Sequence, residues 1–105
     1  MHSKTRRERV CLVLNDIRSV YNAGSIFRTA DAAGIKKIYL SGITPLPEDR
    51  FGRKRKDFAK TALGAEKTVR WEHAPQILPL LKKLKKDGFH VVGIEQAPNA
   101  CDYKT

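Results

Sequence analysis

Residues Arg9 to Leu14 form a short, nearly continuous apolar run, Arg-Val-Cys-Leu-Val-Leu, that stops at Asn15-Asp16. A strand with one wet face alternates polar and apolar side chains. An unbroken run of this length reads instead as a strand covered on both faces, the situation inside a parallel sheet. Asn15-Asp16 supplies the turn chemistry that ends it.

The next segment of the chain supports a parallel sheet. Ile26, Phe27, Ala30 and Ala33 recur at helical spacing between Asn22, a candidate N-cap, and Gly34, a candidate C-terminal stop. Residues 36–40, Lys-Lys-Ile-Tyr-Leu, form a second strand, so the first forty residues compose a βαβ unit with a right-handed crossover. A long loop is expected from Ser41 to Lys56, interrupted by Pro45 and Pro47. A short helix comes next, from Asp57 to Leu63, closed by Gly64. Thr68–Trp71 is a third strand. A helix from about Ala74 to Asp87 turns Ile77, Leu78, Leu80, Leu81 and Leu84 inward and Lys82, Lys83, Lys85 and Lys86 outward, with Pro79 kinking or delaying it. Phe89–Glu95 is a fourth strand. Alternation of this kind predicts an α/β sheet with helices on both faces.

A length of 105 residues is enough for one small domain, and 41% apolar content suits a soluble one. No apolar run approaches the roughly 20 residues that cross a bilayer. Residues 1–8 read as a flexible basic lead-in without the apolar core of a signal peptide, so a cytoplasmic location is expected. Cys11 reads as a small core residue. Neither Cys11 nor Cys101 has a Cys or His at metal-ligand spacing, so no metal site is expected. The charge is more telling: 21 Lys and Arg against 11 Asp and Glu leave a net +10. Clustered positive charge of that size selects polyanions, with RNA or DNA the foremost partner.

The chemistry concentrates where the first strand gives way to the first helix. Asn22-x-Gly24-x-x-x-Arg28 places an amide, a glycine and a guanidinium at a helix start, where free N–H groups make a seat for phosphate. Gly24 is read as allowing close approach of a nucleic-acid backbone. Arg28, placed on the second helical turn, offers a planar fork suited to a phosphate. A capped helix with an exposed arginine fits the spacing equally well.

This segment resembles motif 1 of the SpoU (TrmH-like) RNA methyltransferase family, part of the SPOUT superfamily, written there Asn-x-Gly-x-x-x-Arg. The likeness continues through Asp31–Gly34, through Lys60-Thr-Ala-Leu-Gly-Ala-Glu66, and to the strand ending Gly93-Ile-Glu-Gln96, so it spans about residues 9–105. It implies a SPOUT-type, trefoil-knotted, Rossmann-like α/β fold that works as a homodimer. Its activity would be methyl transfer from S-adenosylmethionine to a ribose 2′-hydroxyl of tRNA or rRNA. Arg28 and Asn22 take the catalytic positions. Arg28 is expected to act by electrostatic activation, because a guanidinium with a pKa above about 12 is a poor base.

Gly24, Arg50, Arg53, Lys54, Arg55 and Lys56 are the expected RNA-contacting residues, and Ile94, Glu95 and Gln96 the surviving cofactor contacts. The family's later motifs, a Gly-Asn/Gln-Glu segment and a Ser-Leu-Asn segment, do not occur. The sequence therefore reads as the N-terminal part of such a domain, truncated before the knot and inactive by itself. A non-catalytic RNA-binding module derived from the same fold is the alternative. A plain nucleotide-binding domain lacks support, since the first βα turn carries neither Gly-x-Gly-x-x-Gly nor a Walker lysine.

Overall fold

The computed structural model describes residues 9–95. The basic lead-in, Gln96 and Cys101 lie outside the described residues. Four strands form one sheet: β1 (Val10–Asn15), β2 (Lys37–Ser41), β3 (Arg70–His73) and β4 (His90–Glu95), in the order β3-β2-β1-β4. All three pairings are parallel, with β1 at the interior of the sheet between β2 and β4.

That placement explains the apolar run. Leu12 and Leu14, with Ile38 and Leu40 of β2, face α1 (Val20–Ala33), α2 (Lys56–Ala62) and α3 (Ala65–Thr68). Cys11 and Val13, with Tyr39, face α4 (Ile77–Lys86) on the opposite side, through Leu80 and Leu84. Both faces of β1 are dry, so no polar alternation is tolerated. Burial also pushes the Cys11 thiol above its usual range, which suits an inert core residue. Toward β4 the cover thins. Val92 is 40% exposed, and Ile94 packs only partly against the core.

Helix boundaries show where local chemistry departs from the sequence reading. α1 is capped by Ser19, not Asn22: the Ser19 hydroxyl accepts from the Asn22 N–H at 3.1 Å. The helix starts earlier than the apolar spacing implied, which moves Arg28 from the second turn to the third and leaves Ala33 exposed. Gly34 does close it, with φ 80°. Residues 65–68 form a further short helix where the sequence reading began a strand at Thr68. In α4, Leu78 is 68% exposed, not inward, while Leu80 and Leu84 fill the core. α4 begins at Ile77, later than the Ala74 expected, and runs unbroken past Pro79. This proline is the third residue of the helix, within the first turn, where an N–H has no intrahelical acceptor to lose.

α1 and α2 pack closely. Phe27 and Phe58 meet edge to face, with centroids 5.1 Å apart and rings at 87°. One turn away Gly24 is buried, and a Cβ built there would sit 2.7 Å from Thr61 Cβ and 3.1 Å from the Ala62 nitrogen. The two contacts run in opposite chain directions, so α2 lies antiparallel to α1.

Gly24→Ala should therefore destabilise the protein despite alanine's better helix propensity. The propensity gain is about 1 kcal/mol, whereas overpacking costs roughly 1–3 kcal/mol. A net loss of about 1 kcal/mol in denaturant unfolding is expected. A stability gain would show that the helices do not approach this closely.

Candidate functional site

The carboxyl ends of β1, β2 and β4 converge in register, with Asn15 opposite both Ser41 and Glu95. In open α/β sheets this edge is where ligands bind. Polar side chains lace it together. Ser41 Oγ donates to Asn15 Oδ1 at 3.0 Å, and Asn15 Nδ2 donates to Glu95 Oε2 at 3.4 Å. Asp16 adopts a left-handed backbone, φ 58°, and its carboxylate accepts from the Ile43 N–H at 3.0 Å. Gly42, also left-handed, passes so close that a Cβ there would collide with this carboxylate. Thr44, almost fully buried, accepts from the Ile17 N–H at 3.1 Å. Its own hydroxyl proton lies within reach of the Leu14 and Ser41 carbonyls at 2.9 and 2.8 Å. The turn between β1 and α1 is thereby fastened to the loop after β2.

α1 rises from this fastened turn. Asn22 is half-buried in its first turn, and its side chain bonds to no other described residue. Arg28 is exposed and pairs with no carboxylate among the described residues. They stand six positions apart, about 9 Å along the axis and about 120° around it. The motif therefore spreads over the helix surface. Gly24 takes a different position from the one expected. It is turned into the α1–α2 contact, so packing explains it, and backbone approach by nucleic acid does not.

The basic loop folds back on itself as a clasp. Glu48 and Lys54 form an antiparallel bridge, and the Arg55 N–H donates to the Pro47 carbonyl at 2.9 Å. Asp49 ties the tip. Its carboxylate accepts from the N–H groups of Phe51 at 2.8 Å and Arg53 at 2.9 Å, and from Arg53 Nε at 3.0 Å. Those hydrogen bonds, the Arg53 N–H foremost, hold the Asp49 carboxyl below the usual carboxylate range.

The five expected phosphate contacts are thus not equivalent. Arg53 is paired with Asp49. Arg55 makes a two-pronged bond to Asp57, 3.2 and 2.8 Å, which holds that carboxyl low in turn. Arg50 and Lys56 have no acidic partner among the described residues. Lys54 stands beside Lys67, whose ammonium lowers the affinity of Lys54 for its own proton. Because α2 runs antiparallel to α1, its first residue, Lys56, lies toward the level of Arg28 rather than of Asn22.

Ile94 and Glu95 end an exposed edge strand, and Gln96 lies outside the described residues. A cavity of about 400 Å³, lined by residues including Ala74, Pro75, Pro79 and Leu80, sits at β3, the opposite edge of the sheet. Neither Ile94 nor Glu95 lines that cavity. Among the described residues no cluster of three or more His, Cys, Asp or Glu could hold a metal ion, and no helix is long and apolar enough to cross a membrane. His73 and His90 are exposed, and Trp71 packs partly against the core. The sequence reading missed Ser41, Thr44, Asp49 and Phe51. Only the Asp49-Arg-Phe-Gly52 spacing, a turn signature, signalled any of them.

A parallel sheet covered on both faces, with a polar carboxyl edge and a cationic helix–loop surface, defines an α/β domain. The fold is similar to that of a crystallised rRNA methyltransferase from Sinorhizobium meliloti, with a TM-score of 0.65 and 20% identity over 95% of this chain and 46% of that one. Residues 9–105 match the model of the SpoU rRNA Methylase family, and the chain belongs to that family. It is 31% identical over 101 residues to a Staphylococcus epidermidis protein named as a TrmH family tRNA/rRNA methyltransferase. It is 33% identical over 93 residues to a Staphylococcus aureus protein of the same name. The matches take in 96% and 89% of this chain but only 38% and 35% of the length of those relatives.

The Asp49 clasp has a pH signature. A carboxyl held low contributes its stabilisation above its unfolded pKa and loses it as pH falls through the folded one. NMR titration of the Asp49 side chain should give a midpoint below that of an unperturbed aspartate, with the Phe51 and Arg53 amide resonances moving at the same pH. An ordinary midpoint would mean that the loop tip is open.

Proposed function

We propose that residues 9–105 form the N-terminal part of a methyltransferase domain that modifies the ribose 2′-hydroxyl of tRNA or rRNA, with S-adenosylmethionine as the methyl donor. The observation that carries this reading is Asn22-x-Gly24-x-x-x-Arg28 standing on α1, with Arg28 exposed and free of any described acidic partner. An arginine held in a salt bridge would have to break it before meeting phosphate. Arg28 does not.

Methyl transfer needs a ribose hydroxyl made more nucleophilic, and S-adenosylmethionine supplies only the electrophilic methyl group. The donor would depart as S-adenosylhomocysteine and the hydroxyl proton would pass to solvent, so the task of the chain is to stabilise the charge that develops on the hydroxyl oxygen as that proton leaves. Arg28 binds the phosphate beside the target ribose and faces that oxygen with a fixed cation. Its guanidinium keeps its proton and acts through its field. Asn22, with an unused amide, orients the sugar–phosphate or the guanidinium. Arg50, Lys54 and Lys56 hold the flanking backbone, and Arg53 and Arg55 add less because each already has a carboxylate partner. Glu95 at the sheet edge forms one side of the donor site, and a second copy of the chain completes the working unit. The location in keeping with such a substrate is the cytoplasm.

In the full-length protein, Arg28→Ala should reduce methyl transfer by at least about a hundredfold, the scale seen when one charge-stabilising donor is removed. Circular dichroism and melting should stay unchanged, because the side chain is exposed. Arg28→Lys should remain impaired, since an ammonium lacks the planar fork. Unchanged turnover in either variant would refute the role given to Arg28.

A further inference from the structure

Phe51 is 66% exposed at the tip of the basic loop, an unusual place for a phenylalanine that serves no core. Both neighbouring guanidiniums rest on it, Arg50 and Arg53 each 5.0 Å from the ring centroid. The tip is built rather than loose. Asp49 accepts from the Phe51 and Arg53 N–H groups, its carbonyl accepts from the Gly52 N–H at 2.9 Å, and Gly52 turns the chain with φ 78°.

The two arginines differ. Arg53 is locked through its Nε to Asp49 at 3.0 Å, whereas Arg50 has no partner besides the ring among the described residues. Exposed cation–π contacts are weak, so an incoming planar group displaces Arg50 with little loss. A nucleobase is such a group: every base has a π-face, and every nucleotide brings a phosphate for the released guanidinium. A base in a duplex is already stacked on both sides, which restricts the partner to unpaired nucleotides.

We propose that Phe51 is a stacking platform for an unpaired base of the RNA. Arg53 stays beside the ring, held by Asp49, and Arg50 swings from the ring to the adjoining phosphate. The platform rests on the proposed RNA-modifying role and names the part of the substrate that the loop grips, a single-stranded loop or bulge. The platform is sequence-tolerant, because stacking reads the face of a base and not its edge.

The test compares Phe51→Ala and Phe51→Trp in the full-length protein, using a single-stranded oligoribonucleotide carrying 2-aminopurine and a blunt RNA duplex. Phe51→Ala should weaken binding to the single strand by about tenfold and lose the quenching of 2-aminopurine. Duplex affinity and the slope of affinity against salt should stay as in the wild type, because no cation has been removed. Phe51→Trp should keep both affinity and quenching. Equal losses on single strand and duplex, or wild-type behaviour of Phe51→Ala, would overturn the platform while leaving the RNA-modifying role intact. A wild-type protein that binds neither RNA would overturn that role and the platform with it.

Discussion

The Thr44 hydroxyl is the fastening on which the candidate site depends. It is buried, accepts from the Ile17 N–H and lies within hydrogen-bonding distance of two carbonyls, those of Leu14 and Ser41. One small side chain so joins the end of β1, the end of β2 and the turn that launches α1. An unpaired buried donor or acceptor at any of these points would carry a penalty of about 1–3 kcal/mol. Asp16 and Gly42 add a second tie across the same loops. The start of α1 is therefore set by the sheet edge, and the positions of Asn22 and Arg28 depend on it.

Packing then sets how α2 lies against α1. Gly24 lets α2 come close, and the Phe27–Phe58 contact fixes the two helices in register. The basic loop ends at the first residue of α2, so its cations are carried on a rigid base. Within the loop, carboxylates divide the labour. Asp49 and Asp57 hold Arg53 and Arg55 in place, while Arg50 and Lys56 have no acidic partner among the described residues and Lys54 faces another lysine. A loop of like charges would open by mutual repulsion. Two well-placed acids keep this one folded while it remains strongly positive.

Much of the fold was legible because β1 and β2 are buried on both faces and their side chains say so directly. The order of strands and helices apart from α3, the glycine that ends α1 and the inward leucines Leu80 and Leu84 were all readable from spacing. The failures were local. Ser19 and Asn22 are both competent caps, and only the tertiary placement of the β1–α1 turn chose between them. Leu78 looked like core, yet its direction is fixed by where α4 begins, and Gln76 gives no capping signal for that start. At the site, motif 1 was legible as a pattern. The burial of Gly24 was not, because it depends on Thr61, 37 positions away in the chain. Nor could spacing tell which of the five loop cations has a carboxylate partner.

Transfer to a ribose hydroxyl is tested most directly by the chemistry of the product. Alkaline cleavage of RNA needs a free 2′-hydroxyl to attack the neighbouring phosphate, so a 2′-O-methylated nucleotide survives as an alkali-resistant dinucleotide. Unmodified tRNA and rRNA incubated with the full-length protein and methyl-labelled S-adenosylmethionine should yield label in such dinucleotides. Label in a methylated base, or no label in RNA, would contradict the chemistry assigned to Arg28 and Asn22.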